Sequence, residues 1–305
     1  MKYLIKDPLY RGYDYSMFLH NGFKLIKTQY KTFPDGEIYI RFLDSLDPSG
    51  DYYILLRGYP NQNSSILFGE FLVSTLIEKG ASNINIIMPY FPYARQDKEF
   101  MPGEIVSARI LEKIFYNLGA NRIFTIDVHN SNAFLGITKS KFINLSSLPL
   151  WERYLRMLCD TYKKNLFLIA PDKGRIKFVE TLAKRISVEF TYFIKKRDLN
   201  VGNIILHEPA EPEIYERAIK MTKCIVIIDD IIATGGTLAS LASKIRNEGF
   251  KGQIIVGGTH GLFLNDAVDR LYYSGVNQIV TTDTVENPFI SEILKTAPIF
   301  LSYIL

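Results

Sequence analysis

Short apolar runs rich in Ile, Val, Leu and Tyr recur along the chain, separated by longer stretches whose apolar residues fall at helical spacing. The runs predict strands over 52–56, 84–88, 123–126, 166–170, 188–194, 224–228, 254–257 and 278–281. The stretch 64–79 places Ile66, Phe71, Leu72, Leu76 and Ile77 on one side of a helix, and similar helices are predicted over 105–118, 150–162, 177–186 and 237–247. Strand followed by helix, repeated this often, predicts an α/β fold of parallel sheets covered on both faces by helices. In such sheets the functional residues collect just beyond the carboxyl ends of the strands.

The segments leaving those strand ends are 89–97, 127–129, 171–174, 195–197, 229–237 and 259–261. They fall into two sets on either side of 144–150, which predicts a first domain over 1–145 and a second over 146–305. The length of 305 residues allows two domains at a typical size of about 150 each. Both halves carry the same alternation, as a duplicated α/β unit would.

Composition narrows the class without reaching the chemistry. Apolar residues at 47% and charged residues at 22% exclude disordered, collagen-like and disulfide-scaffold chains. The net charge of +4 comes without a basic block, so no nucleic-acid partner is expected. No apolar run reaches the ~18 residues of a membrane span. Lys2, Lys6, Asp7 and Arg11 interrupt the N-terminal apolar residues, so no signal peptide is read and a cytoplasmic enzyme is expected. Cys159 and Cys224 stand in unrelated contexts and form no metal cluster by themselves. Neither a Walker loop nor a dinucleotide-binding glycine turn occurs.

The sharpest local pattern is Ile228-Asp229-Asp230-Ile231-Ile232-Ala233-Thr234-Gly235-Gly236-Thr237. A buried strand runs into two adjacent carboxylates, and a small-residue loop then turns into a helix. Two glycines let successive N–H groups converge, the helix N-terminus adds partial positive charge, and the Thr234 and Thr237 hydroxyls donate. A phosphate fits such a loop. Asp229 and Asp230 suit sugar hydroxyls or a magnesium-bound diphosphate. The plainer alternative is a capped strand-to-helix corner with no ligand.

This segment resembles the ribose 5-phosphate loop of phosphoribosyltransferase-fold proteins, and further motifs narrow the likeness to the ribose-phosphate pyrophosphokinases. Phe33-Pro34-Asp35-Gly36-Glu37 is similar to that family's adenine-binding segment, and Met88 to Asp97, with Arg95, Gln96 and Asp97 at its end, to its most specific signature. Phe100 to Ser107 continues the match. Asp127-Val128-His129 and Pro171-Asp172-Lys173-Gly174 stand at the family's metal positions, and Lys196-Arg197 at its catalytic pair. The resemblance implies two similar phosphoribosyltransferase-type domains. It further implies ATP as co-substrate, Mg²⁺ contacted by His129 and Asp172, and a homo-oligomer built from dimers in which Phe33 reaches adenine across an interface. The implied reaction moves the β,γ-diphosphoryl group of ATP to the anomeric hydroxyl of ribose 5-phosphate and releases AMP, a step of nucleotide biosynthesis. Taken singly, these residues read more plainly: Arg95 as a solvated cation, Asp35 and Glu37 as turn residues, His129 as a hydrogen-bonding group, Lys196 and Arg197 as a basic loop.

Three departures concern the sugar-phosphate side. Asp198 stands where the family has a further Arg, Ala233 where it has Asp, and Arg175 where it commonly has glycine. One cation fewer at a phosphate dianion costs about 1.5–3 kcal/mol. An acceptor whose phosphate is already esterified is therefore a second expectation. ADP-ribose, converted to its pyrophosphate for NAD⁺ restoration, is such an acceptor, with Arg175 reaching the second phosphate. A non-catalytic subunit associated with an active synthetase is a third reading, disfavoured by the retained Lys196, Arg197, Asp172 and His129.

Overall fold

The computed structural model describes residues 1–134, 142–198, 204–287 and 290–305. Its first unit comprises Met1–Ser146, Asp283–Glu286 and Lys295–Leu305, and its second Ser147–Thr282 and Asn287–Leu294.

The first unit opens with β1 (Lys2–Lys6), α1 (Ser16–His20) and β2 (Lys24–Leu25), followed by a hairpin of β3 (Thr28–Thr32) and β4 (Ile38–Phe42). Then come β5 (Asp51–Leu55), α2 (Gln62–Glu78), β6 (Asn83–Ile87), α3 (Ser107–Asn117), β7 (Arg122–Ile126) and β8 (Phe142–Leu145). Six strands form one sheet in the order β2-β1-β5-β6-β7-β8, every neighbouring pair parallel. Its central strands are apolar over most of their length because both faces are covered. Tyr52, Ile54, Ile84 and Ile86 face the core that includes Phe68, Leu72 and Leu76 of α2 and Leu111 and Phe115 of α3. Tyr53, Leu55, Ile87 and Phe124 face the other way, onto Phe18 and Phe23.

The second unit runs α4 (Leu148–Thr161), β9 (Leu166–Ala170), α5 (Ile176–Ile186), β10 (Glu189–Asp198), β11 (Ile204–Pro209) and α6 (Pro212–Met221). It continues with β12 (Cys224–Ile232), α7 (Gly236–Asn247), β13 (Gln253–Gly261), α8 (Ala267–Tyr273), β14 (Gln278–Thr282) and β15 (Glu292–Leu294). Its sheet has the order β11-β10-β9-β12-β13-β14-β15, antiparallel only at β10–β11. The same winding thus appears in both units: strands are added outward from the first strand on one side, then from its other side. The crossing point falls between β1 and β5 in the first sheet and between β9 and β12 in the second.

Two features depart from the sequence expectation. The strands at 224–228 and 254–257 run on to Ile232 and Gly261, so Asp229, Asp230, Thr259 and His260 are strand residues. Asp229 pairs with Gly258 and Ile232 with Gly261, so the β12–β13 ladder holds the backbone extended well past its apolar run. The chain end, assigned by sequence to the second domain, returns to the first unit as α9 (Ala297–Ile304). Ala297, Phe300 and Leu301 are buried with Phe18, Phe23 and Tyr53, and Thr296 anchors the turn before them through its N–H and hydroxyl to Asp283 Oδ1 (2.8 and 2.7 Å).

Candidate active site

In the second unit the glycine-containing loop 233–237 stands at the crossing point of the sheet, where an open α/β sheet leaves a crevice beyond its strand ends. β12 stays paired with β9 only as far as Ile227–Ile169, so Asp229 and Asp230 project from a strand that has outrun its neighbour. Asp229 Oδ1 accepts from the N–H of Asp230 (2.9 Å), and Asp230 Oδ1 from that of Ile231 (2.8 Å). Burial, then the charge of Asp230 with a contribution from Asp172, pushes the Asp229 carboxyl up to about 7. Three sequence-predicted acids are thereby brought together. Asp172 sits at the end of β9, where its Oδ1 accepts from the Gly174 N–H (3.0 Å) and caps a short 3-10 turn.

Beyond the acids, Gly235 takes φ +69°, a left-handed conformation, and its missing side chain admits Leu271 and the Ala267 carbonyl. α7 begins at Gly236, so Thr237 lies in its first turn, without an acidic residue there to compete for an anion. Ala233 and Thr237 are half-buried and Thr234 is exposed.

Arg175 turns inward. Its guanidinium lies 3.5 Å above the Phe178 ring, and Nη2 donates to Thr259 Oγ1 at 3.2 Å within the buried part of the unit. His260, next to Thr259 on β13, is buried as well. Lys196, Arg197 and Asp198 close strand β10, paired with Leu206, Ile205 and Ile204 of β11. Their side chains, and residues 199–203 after them, lie outside the described part.

In the first unit, Phe33 to Glu37 forms the tip of the β3–β4 hairpin. The Phe33 N–H donates to Glu37 O (2.8 Å), the Gly36 N–H to Phe33 O (2.9 Å) and the Glu37 N–H to Asp35 Oδ1 (3.1 Å), with Gly36 at φ +94°. One face of the hairpin, with Tyr30, Ile38, Ile40 and Phe42, packs on the core. The other presents Phe33, which is 39% exposed, and Tyr39, with the Lys31 ammonium 4.7 and 4.8 Å from the two ring centres. Lys31 and Tyr39 stand opposite each other in the hairpin register, which sequence alone does not display.

The 93–97 segment leaves β6 through a turn with Tyr93 at φ +61°. Arg95 is exposed, Gln96 half-buried and Asp97 buried. The Asn130 amide donates to Asp97 Oδ2 at 2.6 Å, tying this segment to the one that leaves β7 with exposed His129. Glu104 folds the following loop by accepting from the N–H groups of Phe100 (2.8 Å) and Met101 (3.1 Å) and from the Gln96 amide (3.3 Å). Those bonds hold its carboxyl below the ordinary range.

Residues 14–119 match the family model described as the N-terminal domain of ribose phosphate pyrophosphokinase, and residues 150–259 match that of the phosphoribosyl transferase domain. A ribose-phosphate pyrophosphokinase of Methanobrevibacter smithii is 32% identical over 258 residues, covering 84% of this chain and 84% of the relative. The chain belongs to the ribose-phosphate pyrophosphokinase family. Another member, from Streptomyces avermitilis, is 31% identical over 88% of this chain and 79% of its own length. The fold agrees with the crystal structure of phosphoribosylpyrophosphate synthetase from Mycobacterium smegmatis, with a TM-score of 0.83 at 23% identity over 99% of this chain and 97% of that one. Its two units are accordingly two phosphoribosyltransferase-type domains. Among the described residues no helix is long and apolar enough to cross a membrane.

Proposed function

We propose that the protein transfers the β,γ-diphosphoryl group of ATP to the anomeric hydroxyl of ribose 5-phosphate, forming a C1–O–P bond, releasing AMP and freeing the hydroxyl proton. The observation that carries this is the loop at the crossing point of the second sheet: three carboxylates for a sugar and its cation stand beside a glycine turn and helix start for its phosphate. The names of the relatives point the same way. Asp229 and Asp230 hold ribose hydroxyls and residues 233–237 the 5-phosphate. Phe33, Asp35 and Glu37 with Arg95, Gln96 and Asp97 take the nucleotide, and Lys196 and Arg197 meet the charge that develops on the phosphoryl oxygens.

Magnesium fits this site as an ion that arrives with the nucleotide. Among the described residues no three His, Cys, Asp or Glu side chains form a ready metal cage. Hard carboxylate oxygens short of a full set suit Mg²⁺, which keeps waters and takes phosphate oxygens. Asp172, beside Asp229 in the second unit, is its proposed contact there, and His129 at the exit of β7 is proposed as a contact on the family resemblance alone; when bound, the ion would neutralise charge on the transferred group.

ADP-ribose has less to recommend it as acceptor. Arg175, the cation proposed to reach its second phosphate, is held inside by Phe178 and Thr259.

Lys196→Ala separates catalyst from associated subunit. Turnover is expected to fall by at least about a hundredfold, the scale of a lost charge-stabilising group, while binding of a fluorescent ATP analogue persists. Unchanged turnover would remove Lys196 from the mechanism. We further propose a cytoplasmic homo-oligomer, supported by Leu67, Phe71, Ile105 and Ile110 exposed on and beside α2 and α3. A light-scattering mass of one chain would contradict it.

A further inference from the structure

Three successive carbonyls of the phosphate loop are held from one side. Ile232 O accepts from the N–H groups of Leu262 (2.9 Å) and Phe263 (3.1 Å), and Ala233 O from that of Leu264 (2.9 Å). Thr234 O accepts from Nη1 of Arg270 at 3.3 Å. In a trans peptide the N–H points opposite its carbonyl. Holding these three carbonyls back therefore turns the N–H groups of Ala233, Thr234 and Gly235 away from segment 262–270, the arrangement by which backbone nests take anions. Two of the clamps are main chain and form whatever the side chains are. The third depends on one side chain of α8.

That side chain also has a second partner. Arg270 Nη2 donates to Asp266 Oδ1 at 2.7 Å, which leaves Nη1 directed at the loop. α8 also sits closely against the glycines: a Cβ on Gly235 would stand 3.3 Å from Leu271 Cγ, and one on Gly236 3.9 Å from Arg270 Nη1.

We propose that Arg270 is a positioning residue for the phosphate loop, holding the Thr234 carbonyl back so that the Gly235 N–H is turned away from α8. This rests on reading residues 233–237 as the seat of the acceptor's phosphate. Sequence gave no hint of it, because a single Arg on an amphipathic helix is usually a solvated surface group.

The test compares native protein with Arg270→Ala, Arg270→Lys and Asp266→Asn, by calorimetric binding of ribose 5-phosphate, by KM for each substrate and by melting temperature. Arg270→Ala is expected to raise Kd and KM for ribose 5-phosphate about tenfold, the loss of roughly one charge-assisted bond, and to keep KM for ATP within about twofold. Arg270→Lys should recover part of the affinity, since an ammonium still donates but does not fork to both Thr234 and Asp266. Asp266→Asn should give a smaller rise, because it frees the guanidinium without removing it. An unchanged acceptor KM in Arg270→Ala overturns the proposal. So does a parallel rise in both KM values that tracks a falling melting temperature, which marks a part that merely holds the fold. If native protein itself binds no ribose 5-phosphate, the phosphate-loop reading falls and this inference with it.

Discussion

Asp229 shows how placement gives a common side chain an unusual task. As an ordinary surface carboxylate it would be ionised throughout the neutral range; at the end of β12, burial and the charges of Asp230 and Asp172 hold its proton to about 7. The titration belongs to the acid cluster as a whole. A sugar hydroxyl or a cation meets a carboxylate there only above that value. kcat/KM for the acceptor is therefore expected to climb as pH rises through about 7, and Asp229→Asn to lower activity and flatten the climb. The same acidic limb persisting in Asp229→Asn would assign it elsewhere. The acid pair was legible in sequence because two adjacent carboxylates after a buried run have few structural uses. Its raised pKa was not, since burial at the end of β12 is the main cause, with Asp172, more than fifty residues earlier in the chain, adding a smaller push. Arg175 illustrates the opposite case: its sequence position beside Asp172 suggested an outward cation, and only the Phe178 ring and Thr259 reveal the inward one.

At the scale of elements, strands with both faces buried announced themselves. β9 reads Leu-Phe-Leu-Ile-Ala, buried throughout, and matched its apolar run. The β3–β4 hairpin stayed hidden because its strands are half-exposed and carry Gln29, Lys31 and Arg41 on the open face. β12 and β13 overran their apolar runs because ladder hydrogen bonds, which sequence does not display, continue past them. Helix α3 was found by its periodicity, yet one member of its buried stripe breaks the rule. Glu112 lies among Ala108, Leu111 and Phe115, 2% exposed, with neither carboxyl oxygen hydrogen-bonded. Burial pushes its carboxyl to about 7, against the pull of Arg109 and Lys113 on the same helix. Because the folded value exceeds the unfolded one, folding favours the protonated form. The stability this contributes is present below the ordinary carboxyl range and is lost as pH rises through about 7. Glu112→Gln, which never ionises, is expected to melt higher than native protein at pH 8 (a pH roughly one unit above that value) and to lose the advantage in mild acid. Equal melting temperatures at both would mean that Glu112 finds a partner when charged.

The whole molecule is one winding pattern used twice and furnished differently. In the first sheet the loop after β5 at the crossing point reads Leu56-Arg57-Gly58-Tyr59-Pro60, with neither an acid pair nor a glycine pair. In the second, the end of β12 carries Asp229-Asp230 and the loop after it Gly235-Gly236. Sugar-phosphate chemistry is thereby proposed for one unit, and nucleotide contacts for the hairpin tip and the β6 exit of the other. The modest net charge of +4 fits this division, since the cations proposed for the reaction, Arg95, Lys196 and Arg197, are a few residues at strand ends and turns. The mass of the products decides which reaction the protein catalyses. Pure protein is incubated with ATP and Mg²⁺ together with either ribose 5-phosphate or ADP-ribose, and the products are resolved by mass spectrometry. The expected result is AMP and the 1-diphosphate of ribose 5-phosphate in equal amounts, with ADP-ribose a far poorer acceptor. ADP in place of AMP, or diphosphorylation of ADP-ribose alone, would contradict the account.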